Sequence, residues 1–192
     1  MTAPEIEKTE IAHRGWTTLS VVTFVKPDGT KFDREIEDHG RAACVLAYDP
    51  ERRTALLVRQ FRAAIFIASG EPDLLEAVAG VVDEDDGADT ARREAMEEAG
   101  VQLRNLETVA NVWTAPGIST ERSELFLASY SAADRTGEGG GLAGENEEIT
   151  VVEIALPELA ALADTGGIND MKTFALVQTL RLRHPALFRE QT

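Results

Sequence analysis

Cysteine is almost missing from this chain. Cys44 is the single one among 192 residues, so no internal disulfide can staple the fold. It sits in the apolar run Ala42-Ala43-Cys44-Val45-Leu46-Ala47 with no histidine near it in sequence, and reads as a buried strand thiol rather than a nucleophile. Basic residues are also scarce: 19 Lys and Arg face 34 Asp and Glu, a formal net charge of −15. That balance excludes a general nucleic-acid binder, which needs a basic footprint to displace counterions from phosphates. It argues equally against docking on an anionic membrane. No apolar stretch nears the roughly 20 residues needed to span a bilayer. The opening Met1-Thr2-Ala3-Pro4-Glu5 lacks a basic-then-apolar signal pattern, so the expected location is the cytoplasm. The histidines, His13, His39 and His184, are isolated and match no ligand spacing.

What is present is the composition of an ordinary globular protein, 43% hydrophobic and 28% charged, long enough for one domain with a small appended sub-domain. Residues 16–26 predict a strand, Pro27-Asp28-Gly29-Thr30 a turn, and 31–37 its hairpin partner. Residues 42–48 and 54–60 predict buried strands, 67–73 a loop, and 74–79 a short strand leading into a glycine. Residues 88–99 predict the clearest helix, with Asp86 or Asp89 as its cap and Gly100 as its stop. Strands follow from Val101 and over 124–130 and 149–155, with a loop at 113–117. The stretch 131–148, with Gly139-Gly140-Gly141, predicts a long mobile loop. Helices are expected over 157–163, with Pro157 at its first position, and 171–183, with Leu176, Val177 and Leu180 on one face. Strands interleaved with one strong central helix and two late ones imply a mixed α/β or α+β sandwich.

The helix over 88–99 carries the chemistry. Residues three and four apart share a helical face, so Glu94, Glu97 and Glu98 converge. Three carboxylates there repel one another unless a cation sits among them, and an all-oxygen set suits a hard dication such as Mg²⁺ or Mn²⁺. Arg93 is adjacent and can orient one of them through its two-pronged guanidinium. The competing reading is a solvated acidic face, common in so acidic a protein. A small-residue loop at 79–87 before the helix and a glycine directly after the carboxylates favour the first reading.

This segment resembles the Nudix box, G-x5-E-x7-R-E-U-x-E-E-x-G-U, where U is aliphatic. The C-terminal half matches in full through Arg93, Glu94, Ala95, Glu97, Glu98, Gly100 and Val101. The N-terminal half is one residue short between Asp86 and Arg93, and Asp86 stands where the first Glu belongs. Further matches cover most of the chain. Pro116 lies sixteen residues after Gly100, and Arg59-Gln60-Phe61-Arg62 and Gly144-Glu145-Asn146-Glu147-Glu148-Ile149 are similar to the ADP-ribose pyrophosphatase branch of the family. The short box, the Gly139–Gly141 run and Gly167-Ile168-Asn169-Asp170-Met171-Lys172-Thr173 look most like GDP-mannose pyrophosphatases within it.

The resemblance implies a Nudix-type α/β/α sandwich around a mixed sheet, with an N-terminal antiparallel β-sheet sub-domain. It divides the chain into a β-rich dimerisation region, 1–40, and a hydrolase domain, 41–192. It implies Mg²⁺-dependent cleavage, with Mn²⁺ as a possible substitute, of the pyrophosphate in a nucleoside diphosphate sugar, GDP-mannose or ADP-ribose. The alternative is a non-catalytic Nudix-fold sensor of nucleotide sugars. The implied metal ligands are the Ala79 carbonyl, Glu94 and Glu98, with Glu97 also possible and a late glutamate joining them. That late glutamate, which binds metal or activates the water, is best matched by Glu147, with Glu145 next. Arg93 and Glu97 complete the catalytic set.

Arg62 is a clamp for phosphate or carboxylate, or a surface strand-end arginine. Trp16 stacks on the base, or is a half-buried strand aromatic. Arg34 and Glu35 match positions that reach a partner subunit's ligand. Glu121 and Lys172 match substrate contacts, or are solvated charges. The implied assembly is a homodimer.

Overall fold

The computed structural model describes residues 2–83, 86–142, 144 and 148–189. It divides into two compact units: Met1–Arg41 with Asn111–Ser123, and Ala42–Ala110 with Glu124–Thr192.

The first unit holds a three-stranded antiparallel sheet in the order β1 (Glu5–Arg14), β2 (Thr18–Val25), β3 (Lys31–Asp38). The β2–β3 hairpin is the one expected from the sequence. Its turn places Gly29 at φ 83°, a left-handed backbone that glycine adopts without penalty. The residue pattern predicts no strand at β1, although the β-rich region 1–40 implied by the resemblance contains it. Charged and polar residues dominate it and every one of its residues is exposed, so no hydrophobic alternation marks it. In the 111–123 segment, the Glu37 N–H donates to the Ile118 carbonyl at 2.8 Å, and the Thr120 N–H donates to the Glu37 carbonyl at 2.9 Å.

The second unit is built on a seven-stranded mixed sheet. Its main path is β10 (Thr150–Ala155), β5 (Thr54–Gln60), β4 (Arg41–Asp49), β9 (Arg122–Ser129), β8 (Glu107–Trp113). β6 (Leu74–Glu76) pairs with β5, and β7 (Val78–Val82) pairs with β4. β4 is buried from Ala43 to Asp49, which explains its unbroken apolar run: a strand covered on both faces cannot alternate with polar residues. Its side chains divide by parity. Cys44, Leu46 and Tyr48 join Leu57 of β5 in a core with Leu156, Leu159, Leu176, Val177 and Leu180, which belong to α3 (Leu156–Asp164) and α4 (Met171–Arg183). Ala43, Val45 and Ala47 join Leu56 and Val58 in a second core with Ala91, Ala95 and Ala99 of α2 (Gly87–Ala99). Helices therefore cover both faces, and the expected α/β/α sandwich is present.

Three local expectations need correction. The loop expected from residue 67 starts only after a short helix, α1 (Ala63–Ser69), ended by Gly70 at φ 80°. α1 buries no residue and has no side-chain cap, so neither periodicity nor a capping signal marks it. The single strand expected over 74–79 is two, β6 and β7, which pair with different neighbours. The loop expected over 131–148 is anchored over its first part. A 3₁₀ turn at Ala132–Asp134 is closed by a reciprocal Ser131–Asp134 cap, and residues 136–141 hydrogen-bond to the end of α2. Glycine N–H groups, which no side-chain pattern reveals, make most of those bonds.

Candidate active site on the second helix

α2 starts where the sequence predicts. Of the two candidate caps, Asp86 holds the position, and its carboxylate accepts from the Asp89 N–H at 2.8 Å. Gly100 closes the helix at φ 65°, with its N–H on the Met96 carbonyl and the Val101 N–H on the Ala95 carbonyl. The apolar side of α2 faces the sheet, which leaves the carboxylates along the edge nearest β7.

Glu98 is only 2% exposed, and its carboxylate accepts from the Ala79 N–H of β7 at 3.3 Å. Glu94 lies over Gly80. A Cβ added there would stand 2.5 Å from Glu94 Cγ and closer still to its carboxylate. Gly80, separated from Asp86 by five residues as the pattern's opening G-x5 requires, thus leaves the room that a carboxylate fills. Arg93 bridges the other two acids, with Nη2 2.9 Å from Glu94 Oε1 and Nη1 3.0 Å from Glu97 Oε2. Burial lowers the Arg93 pKa, but Glu94 and Glu97 outweigh it and hold the guanidinium more firmly charged than usual.

Two carboxylates on a strand backbone, with a glycine cleared for one of them, form a hard-oxygen donor set, and it fits a divalent cation. Among the described residues, no three His, Cys, Asp or Glu side chains already stand as a closed metal cluster. In this conformation Arg93 spans Glu94 and Glu97, and Glu98 faces a peptide N–H. Glu145 and Glu147 lie outside the described residues.

Beside Glu98 lies a second layer of charge that sequence reasoning found only in part. Arg62 grips Glu76 with both prongs, Nε and Nη2 each 2.7 Å from a carboxylate oxygen. Glu76 is 2% exposed, and its bidentate hydrogen bond raises the Arg62 pKa further. Lys172 is no solvated charge: it is half-buried, with Nζ 2.7 Å from Asp170 Oδ1. Asp170 caps α4, accepting from the Thr173 N–H at 2.8 Å and its hydroxyl at 2.6 Å. The Ala77 N–H in turn donates to Thr173 Oγ1 at 2.7 Å. Burial pushes Asp170 up, but the Lys172 ammonium and these donors hold it below the usual carboxylate range. Glu76 escaped the sequence reading, and Asp170 and Thr173 entered it only as members of the 167–173 stretch, because a counter-charge or a capped hydroxyl gains such a role only through burial. Cys44 is fully buried beneath this layer, and burial pushes its thiol far up, as expected of an inert core cysteine.

In the first unit, Trp16 is 83% exposed, with its ring centroid 5.7 Å from that of His39 in an edge-on arrangement, so it is not the half-buried strand aromatic left open above. Arg34 lies over the Phe32 ring, 4.7 Å from its centroid. With Val21, Asp33, Glu35, Gly117 and Ile118 it lines a depression of about 520 Å³. Glu121 stands in the same unit, with its N–H on Ser119 Oγ at 3.1 Å.

An α/β/α sandwich bearing R-E-x-x-E-E on the helix behind a glycine-opened strand is the architecture of one class, and the sequence profile of the NUDIX domain matches residues 38–175. The chain belongs to that family. It is 39% identical over 185 residues to a GDP-mannose pyrophosphatase of Cronobacter sakazakii, covering 93% of this chain and 95% of that one. It is 33% identical over 182 residues to a GDP-mannose pyrophosphatase of Escherichia coli, covering 92% and 94%. In fold it is similar to the crystal structure of an ADP compounds hydrolase, with a TM-score of 0.78 over 99% of this chain and 98% of the other, at 18% identity.

Proposed function

We propose that this chain is a divalent-metal-dependent hydrolase that cleaves the pyrophosphate bond of a nucleoside diphosphate sugar. The products are a nucleoside monophosphate and a sugar phosphate. GDP-mannose is the favoured substrate, because the full-length relatives described above carry that name; ADP-ribose is the other candidate. The observation that carries the reading is the seating of Glu94 and Glu98 on the Ala79–Gly80 backbone, with Arg93 beside them.

Glu94, Glu98 and the Ala79 carbonyl would hold the metal, Mg²⁺ with Mn²⁺ as substitute, and Glu97 would join them. When bound, the dication neutralises phosphate oxygens and the charge that develops on the leaving phosphate. Arg93 restrains Glu94 and Glu97 so that they do not splay apart. Glu147, or else Glu145, takes the proton from the attacking water as the P–O bridge breaks. Lys172, held by Asp170, offers its ammonium to the substrate. Arg62, held by Glu76, adds positive charge at the same end. Trp16 stacks on the base, Glu121 contacts the substrate, and Arg34 and Glu35 reach the site of a partner subunit.

That last role requires a homodimer built through residues 1–40. It is supported by the exposure of Ile6 (67%) and Ile11 (52%) on β1, since a three-stranded sheet gains little stability while its apolar side chains face water. The reading includes a cytoplasmic location and no nucleic-acid or membrane partner; among the described residues no helix is long and apolar enough to cross a membrane.

The test is a turnover panel of nucleotide sugars with Mg²⁺ and Mn²⁺, read as nucleoside monophosphate released. Metal-dependent release is expected. Binding without turnover would establish the sensor alternative instead. Sedimentation at micromolar concentration is expected to give the mass of a dimer.

A further inference from the structure

The Gly139-Gly140-Gly141 run plays no part in the site described above, yet it touches the site's backbone. An α-helix ends with four carbonyls that lack an intrahelical partner. In α2 these begin at Met96, whose carbonyl accepts from the Gly100 N–H, while the Val101 N–H reaches back to the Ala95 carbonyl. The next two belong to Glu97 and Glu98, whose side chains form the acidic face. The Gly141 N–H donates to the Glu97 carbonyl at 3.1 Å, and the Gly140 N–H donates to the Glu98 carbonyl at 2.9 Å. Thr136 and Gly137 close the strap by donating to the Gly100 carbonyl at 3.0 and 3.1 Å.

Only glycine permits this approach. Residues 139, 140 and 141 have φ of 72°, 106° and 78°, all left-handed. A Cβ on Gly139 would lie 2.8 Å from the carbonyl carbons of Glu98 and Ala99, and closer still to the Glu98 oxygen. Those are backbone atoms of the helix, with no flexible tip to yield. Gly140 differs: a Cβ there would meet nothing nearer than the Ile149 oxygen at 3.7 Å.

We infer that the strap, with Gly139 at its closest point, is a positioning device for the metal-binding face. It clamps the last turn of α2 through the carbonyls of Glu97 and Glu98, and so sets the Cα positions from which those carboxylates reach the cation. Partners one shell away from a metal ligand typically change metal affinity about 10–100-fold when removed. The inference rests on the metal-dependent reading above, but its main readout needs no substrate.

The experiment compares Gly139→Ala with Gly70→Ala. Both positions are left-handed, at 72° and 80°, so both variants carry the backbone penalty. A Cβ at Gly70 meets nothing within 4 Å, at the end of a different helix. Mn²⁺ binding is measured with the metal alone by electron paramagnetic resonance, alongside thermal melting and kcat and KM for GDP-mannose. Gly139→Ala is expected to bind Mn²⁺ about tenfold more weakly and to lose about tenfold in kcat with little change in KM. Gly70→Ala should keep both while melting lower. Wild-type Mn²⁺ affinity and kcat in folded Gly139→Ala would overturn the inference, as would an equal loss in Gly70→Ala. If Gly139→Ala does not fold, Gly140→Ala decides: it strains one capping N–H without a clash, and undiminished Mn²⁺ affinity in it refutes the clamp. Wild-type protein that binds Mn²⁺ but hydrolyses no nucleotide sugar would sink the functional reading while the Mn²⁺ comparison still judges the strap.

Discussion

Gly80→Ala separates the needs of the fold from those of the chemistry. The added methyl would stand 2.5 Å from Glu94 Cγ, where ordinary contact begins at 3.4 Å. Cγ must therefore retreat by about 0.9 Å, and the carboxylate beyond it by roughly 1 Å or more. Gly80 sits in strand β7 without a left-handed φ, so alanine adds no backbone strain and removes unfolded-state entropy worth about 0.4–1 kcal/mol. Glu94 is a flexible chain that can swing aside, so the melting temperature should stay within about 4 °C of wild type.

Catalysis has no such latitude. A misplacement of about 1 Å can cost roughly a hundredfold in rate, or about 2.7 kcal/mol of barrier. Initial rates with GDP-mannose and Mg²⁺, together with thermal melts, check both halves. Adding Glu94→Ala closes the cycle: once the carboxylate is gone, the methyl has nothing to displace, so Gly80→Ala should cost little further rate. A folded Gly80→Ala enzyme with full kcat would refute this account of the box glycine. So would a melting temperature lowered by more than about 10 °C, which would mean that the fold rather than Glu94 needs the glycine.

Other consequences follow from the same geometry. Glu98→Gln keeps an oxygen that can accept from the Ala79 N–H, so circular dichroism should be unchanged while kcat falls by about a hundredfold or more. Arg62→Ala strands the buried Glu76 carboxylate and should destabilise by about 3 kcal/mol; Arg62→Met with Glu76→Leu should recover most of it, and a single variant as stable as wild type in urea would contradict the pairing. Asp170 has a depressed pKa, so its stabilisation is present above its unfolded value of about 3.9 and is lost as pH falls through the lower folded value. The stability gap between wild type and Asp170→Asn should therefore hold between about pH 5 and 7 and begin to narrow below about pH 4; a gap unchanged at pH 3 would show that the charge is not responsible.

Much of this protein was legible in one dimension because short-range rules govern it. The helical repeat spaces Glu94, Glu97 and Glu98 along the last turns of α2, Asp86 and Gly100 bracket that helix by local hydrogen bonding, and the apolar run over 42–48 marks a strand covered on both faces. The family's motif added Arg62 and Lys172 as functional positions, though not what they touch. Tertiary structure alone decided the rest. Glu76 and Asp170 are ordinary acids in sequence; burial beside Arg62 and Lys172 makes them fixed counter-charges. Gly80 and Gly139 read as loop residues until the chain folds back and another backbone or carboxylate fills the space a side chain would need. Periodicity reports what lies three or four residues away, and it is silent about a neighbour that arrives from fourteen or forty residues along the chain.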